Sequence, residues 1–157
     1  MFKTVLWATD GSDTAAKALP YAIALTQGDH AKLVVVHVRE IFVGRGGGYP
    51  LLADETELRD RIAEQVEALK TDGLEATFIV RTCTAGHAAQ AIADVARELE
   101  ADLIVVGTHG YGRVAGLLLG SVTQGLLHSG VCPVLAVPTG LPVVAPEHEL
   151  ETTVASV

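Results

Sequence analysis

The residues best suited to chemistry form one glycine-spaced segment, Gly107-Thr108-His109-Gly110-Tyr111-Gly112-Arg113, continued seven positions on by Gly120-Ser121-Val122. Glycines at 107 and 110 permit positive φ and let backbone N–H groups approach an anion closely. Gly120 and Ser121 fall near the start of an apolar helix, where the first N–H groups lack intrahelical partners and favour negative charge. Phosphate is the natural occupant of such a segment. The spacing is neither that of a P-loop, which ends in Gly-Lys followed by Ser or Thr, nor that of the dinucleotide fingerprint, for which Gly107, Gly110 and Gly112 are in the wrong order. The plainer alternative is that these glycines only make turns, with Gly116 and Gly120 allowing close helix packing.

His109 and Arg113 lie inside the segment, where each either adds positive charge beside a phosphate or remains a solvated loop residue. Ser121 and His128 do not make a nucleophilic pair, because they stand two turns apart on one helix with no evident oxyanion hole. His87 follows Gly86 and is expected to open a helix. His148 has no HExxH partner, so metal ligation by histidine is not indicated. Cys132, directly before Pro133 at a strand start, reads as packing rather than as a reactive thiol. No catalytic residue is assigned.

The elements that must position these groups are visible as short apolar or β-branched runs at residues 4–8, 33–38, 76–81, 103–106 and 133–137. These predict strands. Leu33-Val34-Val35-Val36 and Leu103-Ile104-Val105-Val106 are continuous rather than alternating, as suits parallel strands covered on both faces. Helical spacing fills the gaps: Ala15, Leu19, Ala22 and Ile23; Leu58, Ile62, Val66 and Leu69; Ala88, Ile92, Val95 and Leu99; Leu118, Val122 and Leu126. Ser12 is placed to N-cap the first helix and Gly28 to end it, Asp54 with Glu57 resembles a capping box, and Gly73 and Gly130 fall where C′ glycines belong. The predicted fold class is α/β: a single open doubly wound parallel sheet, five strands in the order 3-2-1-4-5 with four helices. In such a sheet ligands bind beyond the carboxyl ends of the strands where the order reverses, here between the first and fourth strands. The loops after those two strands rhyme, Trp7-Ala8-Thr9-Asp10-Gly11 against Val106-Gly107-Thr108-His109-Gly110, which puts Asp10 and Gly107 on opposite walls of one crevice.

At 157 residues the chain is one domain, expected over residues 1–139, and nearly half its residues are hydrophobic, enough for an unaided core. The net charge of −8 argues against a nucleic-acid partner. Cys83 and Cys132 show no CxxC pairing, so neither a disulfide framework nor a zinc knuckle is indicated. No signal peptide or membrane span is read, and a soluble cytoplasmic protein is expected. Two irregular pieces stand apart. The segment from Gly44 to Pro50 reads as a mobile loop and residues 140–157, with Pro142, Pro146 and several glutamates, as a fraying tail.

Gly107-x2-Gly110-x9-Gly120-Ser121 with Val122, followed by Cys132-Pro133-Val134-Leu135-Ala136-Val137, resembles the ATP-binding signature of the universal stress protein family. Val5 to Ser12 and His37-Val38 are similar to further landmarks of that family, and the resemblance runs from about Lys3 to Val137. It implies a homodimeric, flavodoxin-like domain of the adenine nucleotide alpha hydrolase-like type, in a family where some members bind ATP and others lack the motif. Carried over by position, Ala8, Thr9 and Asp10 would lie by the nucleotide, Val38 would flank the adenine, and Val106 and Gly107 would contact base or ribose. Gly110, Gly120, Ser121 and Val122 would hold phosphates through main-chain N–H groups, the Ser121 hydroxyl adding a bond. A carboxylate beside a polyphosphate is repulsive unless it bonds a ribose hydroxyl or faces a bridging Mg2+, so Asp10 has either role, or else only caps its turn.

The function so implied is ATP binding in a regulatory or sensing role in the stress response. The alternatives are a slow ATPase or phosphoryl-transfer enzyme using the same pocket, a cyclic-AMP-binding member, or a dimerisation module whose pocket stays empty. The last strand, Pro133 to Val137, is an apolar, uncharged sheet edge, and two copies related by a two-fold axis are expected to pair there.

Overall fold

The computed structural model describes residues 1–44, 47–50, 53–109, 119–138 and 140. Five parallel strands form the body of the sheet: β1 (Thr4–Ala8), β2 (Lys32–Gly44), β4 (Ala76–Thr84), β5 (Leu103–Gly107) and β6 (Val134–Val137). They lie side by side as β4-β2-β1-β5-β6, with Val5 beside Leu33 on one edge and Leu103 on the other. This is the predicted doubly wound order. The strand sequences alternate between two buried faces. Val5, Trp7, Leu33, Val35 and Val105 pack under α2 (Leu19–Asp29) and α3 (Glu55–Thr71). Leu6, Ala8, Val34, Val36, Ile104 and Val106 pack under α4 (Ala88–Glu98) and α5 (Ser121–Ser129). Leu6, Leu33 and Ile104 are fully excluded from solvent. Each contributes about 1.5–3 kcal/mol by burial. No helix among the described residues is long and apolar enough to cross a membrane.

The sheet has a sixth strand that the sequence reading lacks. β2 runs on to Gly44, and β3 (Gly47–Pro50) turns back antiparallel on it, with Phe42 opposite Tyr49 and Gly44 opposite Gly47. Within the segment that reads as a mobile loop, Gly44 and residues 47–50 are therefore paired strand, and the sheet is mixed rather than purely parallel. Ile41, Phe42 and Val43 supply the β-propensity, and two residues separate Gly44 from Gly47, the spacing of a tight hairpin. Ile41 pairs with Thr84 of β4 and also with Pro50. β3 thus occupies the β1 side of β2, in line with β1 and past its end.

The first predicted helix is two pieces, α1 (Asp13–Ala16) and α2. Pro20 has no N–H and its ring clashes with the carbonyl four residues back, at Ala16, so the first piece stops there and the second starts with proline in its opening turn. Ser12 caps α1 as expected, its hydroxyl accepting the Ala15 N–H at 3.2 Å. Gly28 does not end α2. The left-handed residue is His30, at φ 53°. Asp54 stands at the N-cap of α3 but makes no side-chain cap bond, so no capping box forms. Gly73 and Gly130 take the expected left-handed turns.

Candidate functional site

A cavity of about 300 Å³ opens at the carboxyl ends of β1 and β5, where the strand order reverses, and against the middle of β2 just past its pairing with β1. Three chain segments converge on it. Ala8, Thr9 and Asp10 leave β1, Val38 and Glu40 lie on β2, and Val106, Gly107 and His109 leave β5. The start of α5 closes the far wall with Gly120, Ser121, Val122 and Thr123. Gly110 and Arg113, also expected here, lie outside the described residues.

The β1 loop is held by its own side chains. The Thr9 N–H donates to the Val36 carbonyl at 2.9 Å and ends the β1–β2 ladder. The Gly11 N–H then donates to Thr9 Oγ1 at 3.0 Å and the Ser12 N–H to Asp10 Oδ1 at 3.0 Å. Short polar side chains of this kind replace secondary structure at turns. Asp10 therefore does cap its turn, and it also lines the cavity, so the two readings of this residue are compatible.

On the opposite wall Gly107 serves differently from the sequence expectation. It is not among the positive-φ glycines. Instead β5 runs so close to α1 that a Cβ at 107 would sit 2.9 Å from the Thr14 carbonyl oxygen, a backbone atom that cannot yield. Gly107 also anchors α5, its carbonyl accepting the Thr123 hydroxyl at 2.9 Å, while the Gly120 N–H donates to the Thr108 carbonyl at 2.7 Å. These bonds aim the α5 N-terminus into the cavity. Gly120 is the N-cap and offers no side chain, so no cap bond occupies the first-turn N–H groups.

The cavity has two chemical ends. Ala8, Val38, Val106, Ala88 and Ile92 make an apolar slot, the last two from α4. Sequence periodicity assigns Ala88 and Ile92 to the core face of their helix, and a wall at the core's rim has the same periodicity. The other end is the row of N–H groups opening α5. Asp10 and Glu40 bring carboxylates to the wall, and Glu40 Oε1 accepts the Gly86 N–H at 2.7 Å. His109 Nδ1 lies 3.1 Å from Thr108 Oγ1. A flat apolar group joined to an anionic one is the ligand chemistry this arrangement suits.

A buried pair absent from the sequence reading lies behind the β1 loop. His37, 1% exposed, has Nδ1 3.0 Å from the Thr9 carbonyl and Nε2 3.0 Å from Glu55 Oε1. His37 is marked in sequence by its likeness to a family landmark expected at a strand end, whereas β2 runs on to Gly44 and places it mid-strand; nothing marks Glu55, which belongs to a different element. Neither thiol is poised to react: burial pushes both Cys83 and Cys132 above the ordinary cysteine value. Among the described residues no group of three His, Cys, Asp or Glu side chains is arranged to hold a metal.

Comparison with known proteins agrees with this architecture. The chain is 40% identical over 140 residues to a universal stress protein of Thermus aquaticus encoded in the QAH/OAS sulfhydrylase 3′ region, covering 87% of this chain and 99% of the relative. A solved universal stress protein in complex with cAMP superposes with a TM-score of 0.63 at 26% identity, over 87% of this chain and 96% of that one. The Archaeoglobus fulgidus protein in complex with dAMP shares the fold, with a TM-score of 0.63 at 22% identity over 87% and 98% of the two chains. Residues 1–138 match the universal stress protein family as a whole, and with the identity to a relative and the shared fold in agreement, the chain belongs to that family.

Proposed function

We propose that this protein binds an adenine nucleotide, ATP in the first instance, as a regulatory or sensing ligand in the stress response. The observation that carries the reading is the meeting, in one cavity, of an apolar slot with the uncapped N-terminus of α5. The slot takes the base and the N–H groups of Ser121, Val122 and Thr123 take phosphate oxygens. Asp10 accepts a ribose hydroxyl or faces a Mg2+ held by the phosphates. The cAMP complex of a relative at 26% identity supports the nucleotide class. The same reading has the protein cytoplasmic and dimeric through the free edge of β6, which pairs only with β5 among the described residues.

Equilibrium titration with ATP, ADP and cyclic AMP, with and without Mg2+, tests it, alongside mass spectrometry of any small molecule released from the purified protein. The expected result is saturable binding with ATP tightest. A preference for cyclic AMP would move the assignment within the adenine nucleotides, and no binding of any of the three at millimolar concentration would overturn it.

A further inference from the structure

His37 and Glu55 are buried, titratable and unused by the cavity's own chemistry, yet His37 lies on the cavity wall. Both ring nitrogens are engaged. A carbonyl oxygen only accepts, so the contact of Nδ1 with the Thr9 carbonyl at 3.0 Å requires the proton on Nδ1. Nε2 and Glu55 Oε1, also 3.0 Å apart, then share one proton, whichever of them carries it. A ring flip would set C–H groups against both partners, so the ring has a single orientation. Glu55 opens α3, the element that follows the hairpin.

The position of the Thr9 carbonyl decides more than one hydrogen bond. Where the backbone ladder between β1 and β2 stops, the imidazole takes over as the partner of Thr9. The orientation of the Thr9–Asp10 peptide fixes the two turn bonds that follow, from Gly11 to Thr9 Oγ1 and from Ser12 to Asp10 Oδ1. Those bonds place the Asp10 carboxylate on the cavity wall and start α1 at its cap. We propose that His37, aimed by Glu55, is a positioning residue. Its Nδ1–H holds the Thr9 carbonyl and so sets the 9–12 loop in the form that receives the ligand. The consequence for affinity rests on the nucleotide reading above, and the consequence for the loop does not.

Asparagine and glutamine separate the two arms. The amide nitrogen of Asn reaches the place of Nδ1 and that of Gln the place of Nε2. His37→Asn therefore keeps the donor to Thr9, and His37→Gln keeps only the arm to residue 55. Both are made in a Glu55→Gln background, so that no carboxylate is left buried without a partner. Two readouts are taken: ATP affinity by calorimetry, and amide hydrogen exchange at Gly11 and Ser12 in the free protein, each beside the global unfolding midpoint. The expected result is that His37→Gln weakens ATP binding by about tenfold or more and speeds exchange at those two amides, while His37→Asn, at similar global stability, recovers most of both losses. Asn and Gln variants that behave alike, or an exchange pattern that follows global stability alone, would overturn the proposal. If the unaltered chain takes up no adenine nucleotide but exchange still follows the Thr9 donor, the nucleotide reading fails and the positioning role stands.

Discussion

Ser121 is the first residue of α5, and its N–H opens on the cavity from a helix position where an intrahelical partner is impossible. Proline is well tolerated at that position, and Gly120 before it has φ −69° and ψ 160°, the extended conformation a pre-proline residue requires. Ser121→Pro should therefore leave the unfolding midpoint nearly unchanged while removing one of the proposed phosphate donors and the hydroxyl. ATP affinity is expected to fall by about tenfold, and Ser121→Ala, which loses only the hydroxyl, by less. Unchanged affinity in a folded Ser121→Pro protein would remove this N–H from the site. Gly107 shows the limit of reading at this scale. Its spacing marks the segment, but its reason is the backbone of α1 packed against it, which involves residues far earlier in the chain.

At the scale of elements, the width of the cavity depends on how closely α4 and α5 approach, since Ala88 and Ile92 line one side and Ser121 to Thr123 another. That approach is set at Gly125, where a Cβ would meet the Ala89 Cβ at 2.5 Å. Gly125→Ala should destabilise the fold by about 1–3 kcal/mol despite the better helix propensity of alanine. Ala89→Gly added to it should restore most of that loss, and a denaturation-based double-mutant cycle reads the coupling directly. Parallel strands such as Leu33 to Val36 were legible because burial on both faces leaves an unbroken apolar run. Their parallel, doubly wound arrangement followed from alternation with helices, and the rhyme of the β1 and β5 loops pointed to the two walls of the crevice. The β2–β3 hairpin was not legible, because glycine-rich sequence that permits a loop also permits a tight turn, and pairing decides between them. The split of α1 from α2 was legible in principle at Pro20. The His37–Glu55 contact was not, since it joins a strand and a helix with no local signal in either.

For the molecule as a whole, the sheet has a wet end and a tied end. Far from the cavity, Asp102 Oδ2 accepts the N–H groups of Lys3 at 2.7 Å and Thr4 at 2.9 Å, joining the starts of β1 and β5. Those bonds, Thr4 first, hold the Asp102 carboxyl below its ordinary value of 3.8. A carboxyl depressed by folding stabilises fully above its ordinary value, and the contribution disappears as pH falls through the lower folded value. Asp102→Asn should thus be less stable than the unaltered chain near neutrality, with the difference closing below about pH 3.8. Denaturant unfolding across pH checks this, and a gap that does not change with pH would count against it. The proposed dimer would form at the β6 edge of the sheet. The carbonyls of Pro133 and Val137 accept from Ile104 and Thr108 of the β5 side. Strand bonds alternate, so the N–H and C=O groups of Val134 and Ala136 point to the free edge. Ala136→Pro removes one outward donor without touching the β5 ladder. A folded monomer by light scattering is expected, and a dimer that survives the substitution would exclude pairing through β6.

Trp7 is the single tryptophan of the chain. Its indole is 1% exposed and donates from Nε1 to the Ala15 carbonyl at 3.2 Å, linking β1 to α1 across the loop that carries Asp10. Light absorbed near the red edge of the aromatic band excites this one ring, in a buried setting where its N–H partner belongs to the helix that the loop sets in place. Emission colour and quenching are therefore expected to respond to the loop's state. The chain carries its own optical gauge for the site, readable with no dye and no engineered residue.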